Sequence, residues 1–120
     1  LKGVANCNRS FLPGMLKRGK GVIVNFSSGS GRSTGSLKSC YSSSKFGVEA
    51  LSKCIAADLP KNLFCVPLAP GTLHTELNPD EAYPKPEVWA PVAADFILSI
   101  GSDPSHNGAS LSVPGFYSNV

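Results

Sequence analysis

"GVIVNFSSGSGRSTGSLKSCYSSSK", residues 21 to 45, decides how the chain is read. Gly21 to Phe26 form a short β-branched run opened by a glycine, which predicts a strand buried on both faces. The glycines and serines that follow have the composition of a flexible linker. Beyond them, from about Cys40 to Leu59, Phe46, Ala50, Leu51, Cys54, Ile55 and Leu59 recur at helical spacing until Pro60 stops the pattern. A serine-rich loop between a buried strand and a helix lies at the strand's carboxyl end. In an open parallel sheet, that edge faces the ligand crevice.

Upstream of this stretch, Leu1, Val4, Ala5, Leu12, Met15 and Leu16 approximate one helical face, which predicts a helix over 1–17. Pro13 is a local irregularity within it, and Gly19 and Gly21 end it. Downstream, "LFCVPLA" predicts a second buried strand near 63–68, followed by a loop rich in proline and polar residues, Pro70 to Lys85. A helix is expected near 87–100, with Pro86 at its start and Pro91 in its first turns, and a last strand near 109–113. Helix and strand alternate throughout. That order predicts an α/β fold, part of a Rossmann-like three-layer α-β-α sandwich, with three parallel strands and helices on both faces.

With 120 residues the chain is one domain at most. Its net charge of +3 is mild. Lys17, Arg18 and Lys20 sit where the first helix ends, and cations there complement the helix dipole. No basic stripe with interleaved aromatics points to nucleic acid. The four cysteines, Cys7, Cys40, Cys54 and Cys65, form no C-x-x-C pair, and His74 and His106 stand alone, so no metal site is expected. Cys54 and Cys65 fall in apolar patterns and read as small core residues. Reduced thiols point to a cytoplasmic location. No apolar run is long enough to cross a bilayer, so no membrane association is expected. The chain opens on Leu1 in what reads as mid-helix, which suggests a fragment.

The chemistry begins at Tyr41 and Lys45, spaced i, i+4 on one face at the start of the second helix. A lysine cation beside a phenol favours the phenolate, and such a tyrosine can exchange a proton with a carbonyl or alcohol oxygen. So short a motif also arises by chance on a solvated helix face. Context favours function: Ser28, at the end of the first strand, lies thirteen residues before Tyr41. The second strand likewise ends in "APGTLHTEL", Ala69 to Leu77, so two loops and a helix start converge on one sheet edge.

"GVIVNFSS", the glycine- and serine-rich loop, "YSSSK" and "APGTLHTEL", in that order and spacing, resemble the second half of the short-chain dehydrogenases/reductases. More narrowly, "KGVANCNRSFLPGM", "YPKPEVWAPVAADFILSI" and "NGASLSV" are similar to a plant subfamily, the NADPH-dependent pterin aldehyde reductases. The resemblance implies an oxidoreductase that reduces a small-molecule carbonyl with NADPH. It implies that Ser28 bonds the substrate carbonyl, Tyr41 is the acid/base, and Lys45 holds the nicotinamide ribose and keeps the Tyr41 hydroxyl readily ionised. Pro70 and Gly71 would shape the loop beside the nicotinamide, and Leu73 and Thr75 would contact its carboxamide. The serine loop would be one wall of the substrate pocket. Helices 1–17 and 40–59 correspond to the family's frequent dimer interface, which implies a possible homodimer.

Other family parts do not appear in the sequence. "GSGRSTG" at Gly29 to Gly35 lacks the dinucleotide fingerprint spacing, and the next helix starts too late to meet a pyrophosphate. The family's Asn-Asn-Ala-Gly strand is absent, and its catalytic asparagine would sit just before Leu1. Residues 1–120 therefore read as the carboxyl-terminal half of such a domain, without the amino-terminal dinucleotide-binding half. "APG" stands where near relatives have Asn-Pro-Gly, and "DLPKNLF" reads as shortened. The alternative is a non-catalytic module that pairs with a partner chain. A serine hydrolase is disfavoured because no G-x-S-x-G surrounds Ser27, Ser28 or Ser30, and neither histidine has an obvious acidic orienter. His74 reads as an exposed loop residue.

Overall fold

The structure is a computed structural model that describes residues 1–116. Three helices alternate with three strands: α1 (Lys2–Arg18), β1 (Gly21–Phe26), α2 (Ser39–Asp58), β2 (Leu63–Ala69), α3 (Pro86–Ser99) and β3 (Leu111–Ser112). The sheet order is β1-β2-β3, and both pairings are parallel, with Gly21 opposite Leu63 and Leu68 opposite Leu111. The expected elements are all present. The last strand is shorter than its expected 109–113, although the Val113 amide continues the ladder to the Ala69 carbonyl at 3.1 Å.

β2 is central, and all its residues are buried. Alternate side chains of a strand face opposite ways, and here the two faces differ in chemistry. Phe64, Val66 and Leu68 of β2 pack with Val24, Leu111 and Val113 against Ala93, Phe96, Ile97 and Ile100 from α3 and the turn after it. This is an ordinary apolar core. On the other face, α1 and α2 meet the sheet through polar side chains. Asn8 of α1 and Asn25 of β1 exchange amide hydrogen bonds at 2.9 and 3.2 Å, and Asn25 also donates to Ser52 Oγ of α2 at 2.9 Å. Cys65 closes the group, and burial pushes its thiol up to about 11. Every partner is satisfied, so the desolvation of these groups is offset.

α1 runs unbroken through Pro13 and ends at Gly19, whose φ of 74° gives a left-handed cap bonded back to Met15 and Leu16. α2 corrects an expectation. The face it buries carries Ser42, Val48, Glu49, Ser52 and Ala56 rather than the apolar stripe read from the sequence. Phe46, Ala50 and Cys54 are exposed, and of the two cysteines read as core residues only Cys65 is buried. The physical reason is proximity: small side chains let α2 lie close on the sheet, and Phe46 is left facing outward while Leu51, Ile55 and Leu59 are half-buried.

Candidate active site

β1 ends at Phe26, and Ser27 and Ser28 follow at the carboxyl edge of the sheet. The Ser27 amide still joins the ladder, bonding the Leu68 carbonyl at 2.8 Å. Ser28 then caps a single turn of 3-10 helix, Gly29–Gly31, its Oγ accepting from the Ser30 amide at 3.2 Å. The loop is therefore no free linker. It presses on α2 at Gly31, where a Cβ would lie 2.9 Å from the Lys45 carbonyl carbon and oxygen and 3.0 Å from Ser27 Oγ. Only glycine permits that approach.

Arg32 fixes the loop from below. Its Nε donates to Glu49 Oε1 of α2 at 2.7 Å, its Nη1 to Ser112 Oγ at 2.9 Å, and its Nη2 to the Leu111 carbonyl at 2.7 Å and the Pro67 carbonyl at 3.3 Å. Glu49 also accepts from Ser27 Oγ at 2.5 Å and Ser110 Oγ at 2.6 Å. Burial alone would push the Glu49 carboxyl up. The bonds from Ser110, Ser27 and Arg32, with the Arg32 charge, outweigh it and hold the carboxyl below its ordinary value.

Above this anchor is a cleft of about 280 Å³ lined by Ser28, Gly29, Ser30, Ser33, Thr34, Gly35, Lys38, Ala69, Gly71 and Thr72. The sequence-derived residues divide around it. Ser28 and Gly71 line it. Tyr41 and Lys45 stand in the first turns of α2, outside this lining, with Tyr41 half-exposed. Lys45 Nζ lies 5.9 Å from the Tyr41 ring centroid and donates to the Phe26 carbonyl at 3.0 Å. That bond ties the start of α2 to the strand end that carries Ser28.

Pro70, Leu73 and Thr75 belong to the loop after β2. Trp89 Nε1 donates to the Pro70 carbonyl at 2.9 Å, and the Trp89 ring lies 6.3 Å from that of Phe26. Gly71 turns with φ 89°, and a Cβ there would strike the Phe116 carbonyl oxygen. Thr75 and Asn78 exchange backbone bonds at 3.0 Å, and Asn78 Nδ2 donates to the Leu73 carbonyl at 3.0 Å. His74 departs from its expected exposure: its side chain is 23 % exposed, and its Nε2 lies 3.8 Å from Glu81. His106 likewise has Asp103 at 3.8 Å. Both histidines thus have acidic neighbours, but neither lines the cleft with Ser28.

Arg32 and Glu49 went unread in the sequence. The available signal was the spacing of Ser42, Glu49, Ser52 and Ala56, a small and polar stripe at helical period with one acid in it.

A parallel sheet of this order, with two loops and a helix start meeting at its carboxyl edge, defines a Rossmann-type α/β class. The family model of the short chain dehydrogenases matches residues 1–85, and the chain belongs to that family. It is 42 % identical over 119 residues to the NADPH-dependent pterin aldehyde reductase of Arabidopsis thaliana, covering 94 % of this chain and 48 % of the relative. It is 35 % identical over 97 residues to the very-long-chain 3-oxoacyl-CoA reductase of Mus musculus, covering 80 % of this chain and 30 % of that one. Among solved structures, the fold superimposes on actinorhodin polyketide ketoreductase with NADPH at a TM-score of 0.76 and 24 % identity, covering all of this chain and 56 % of that one. It superimposes on 4-hydroxyisoleucine dehydrogenase complexed with NADH and succinate at 0.77 and 22 %, with the same coverage. The chain spans about half the length of the Arabidopsis relative and of both structures. No described helix is long and apolar enough to cross a membrane.

Proposed function

We propose that residues 1–120 form the carboxyl-terminal, active-site half of an NADPH-dependent reductase that converts an aromatic or pterin-like aldehyde to its alcohol. The identity with the Arabidopsis enzyme supports the substrate class and the cofactor. The observation that carries the chemistry is Ser28. Its Oγ lines the cleft while accepting the Ser30 amide, so its own proton is left to donate to a carbonyl oxygen.

The nicotinamide end of the cofactor fits the residues present. The Lys45 ammonium has three donors, and the Phe26 carbonyl takes one, which leaves donors for ribose hydroxyls. Gly71 brings bare backbone to the cleft wall, with Pro70 fixed by Trp89 and with Leu73 and Thr75 on the same tethered loop. Bound NADPH supplies the hydride that reaches the carbonyl carbon. As negative charge grows on the carbonyl oxygen, Ser28 donates a hydrogen bond and the Tyr41 hydroxyl gives up its proton, so the product leaves as an alcohol. Lys45, held by the Phe26 carbonyl, orients the start of α2 and stabilises the tyrosinate left behind.

The test is NADPH consumption with a panel of aldehydes, using the polypeptide as its source expresses it. Tyr41→Phe is expected to lower kcat by a factor on the order of a hundred or more. Near-normal turnover by that variant ends the mechanism, and activity confined to steroids or sugars ends the substrate class.

A second reading, pairing with another copy of the chain, is favoured by the outward apolar residues of α1 and α2: Phe11 (68 % exposed), Leu16 (49 %) and Phe46 (41 %). Sedimentation is expected to show a dimer that Phe46→Glu dissociates, and a concentration-independent monomer removes this reading.

A further inference from the structure

We propose that Arg32 is a positioning residue of this site: through Glu49 it holds the strand end bearing Ser28 in register with the helix bearing Tyr41 and Lys45. The inference rests on the reductase reading above, which gives those three residues their roles, and goes beyond it to the group that aligns them.

Ser28 and Tyr41 lie on different elements, so some contact must set their separation. Two candidates are single point contacts, the Lys45 bond to the Phe26 carbonyl and the Asn25 bond to Ser52 Oγ of α2. The third is the Arg32 fork. It makes four bonds, to Glu49, Ser112, Leu111 and Pro67, and so joins the loop to α2, β2 and β3 together. Glu49 receives Ser27, the neighbour of Ser28, on the same oxygen that takes Arg32 Nε. A shift of α2 along the sheet would therefore break the Arg32 and Ser27 bonds at once. Gly31, between Ser28 and Arg32, seats the loop on the Lys45 backbone and leaves no slack in the connection. Arg32 is also one of the few buried or half-buried cations on this face. Its guanidinium is planar, with donors in a rigid fork, so it holds direction as well as charge. Lysine at this position would keep the charge and lose the geometry.

The experiment compares Arg32→Gln and Arg32→Lys with the unaltered protein by two readouts. The first is amide hydrogen exchange, followed by mass spectrometry over residues 27–38 and over β2. The second is steady-state reduction of an aromatic aldehyde by the polypeptide its source expresses. In Arg32→Gln, exchange in 27–38 is expected to quicken at least tenfold with β2 unchanged. The same variant is expected to lose at least tenfold in kcat while its KM for NADPH stays within about twofold. Arg32→Lys should recover less than half of the lost kcat. Uniform loss of protection across loop and β2 overturns the proposal, because Arg32 would then act only on global stability. Normal kcat with a released loop overturns it too, as does full rescue by lysine. If the unaltered protein reduces no aldehyde, the function reading fails and this role falls with it, while exchange still reports whether Arg32 anchors the loop.

Discussion

Glu49 is a carboxylate nearly out of solvent that accepts three hydrogen bonds, from Ser27, Arg32 and Ser110. Against the upward push of burial, its folded-state carboxyl is held below its ordinary value by the bonds from Ser110, Ser27 and Arg32. The stability it contributes is therefore present above the unfolded value and is lost as pH falls through the lower folded value. Urea melts taken from about pH 6 down to about pH 3 are expected to show falling stability in the unaltered chain. Glu49→Gln should be less stable near neutrality, with a shallower acid slope. Equal slopes for the two would mean that Glu49 does not couple folding to protons. The stripe of Ser42, Glu49, Ser52 and Ala56 marks Glu49, but nothing local joins it to Arg32, because residues 32 and 49 meet only through tertiary structure. Ser28, Tyr41 and Lys45 could be nominated from the sequence because their spacing is local and their order along the chain matches a family pattern.

At the level of elements, the strands were read in the right places, but burial on both faces holds for β2 alone: β1, expected to be covered on both sides, leaves Val22 and Phe26 exposed at the sheet edge. The face of α2 was misread. Apolar periodicity usually marks the inward side of a helix, yet here closeness to the sheet selects Ser42, Ser52 and Ala56, and the large Phe46 faces outward. The serine loop follows the same rule of close approach. Gly31→Ala would set a Cβ against the Lys45 backbone, whereas nothing lies within 4 Å of a Cβ at Gly29. Gly31→Ala is expected to cost about 1–3 kcal/mol, as overpacking does. Gly29→Ala should stay within about 0.5 kcal/mol, as substitutions away from such contacts do. Denaturant midpoints check both, and equal losses at the two positions would contradict the close contact.

Considered whole, the molecule joins an apolar face under α3 to a polar face under α1 and α2, with the cleft at the carboxyl edge between them. On the reading proposed above, that edge would serve only the nicotinamide end of a dinucleotide. Among the described residues, β1 leads into one 3-10 turn and α2 starts only at Ser39, so no helix amino terminus follows a glycine-rich turn to receive a pyrophosphate. The 120-residue chain by itself is accordingly expected to bind NADPH weakly or not at all. Calorimetric titration checks this, and micromolar affinity would require a phosphate cradle elsewhere in the chain.

The Arg32 fork has a consequence in time. Its bonds to Leu111 and Ser112 span 79 and 80 residues. Closing so long a segment is entropically unfavourable and comes after local helices and the β1–β2 pair have formed. Anchoring of the serine tract by Arg32 is therefore expected to follow the pairing of β1 with β2. The cleft wall is thus expected to be among the later parts of the described fold to gain protection, and pulsed hydrogen exchange that found residues 27–38 protected before β2 would contradict this.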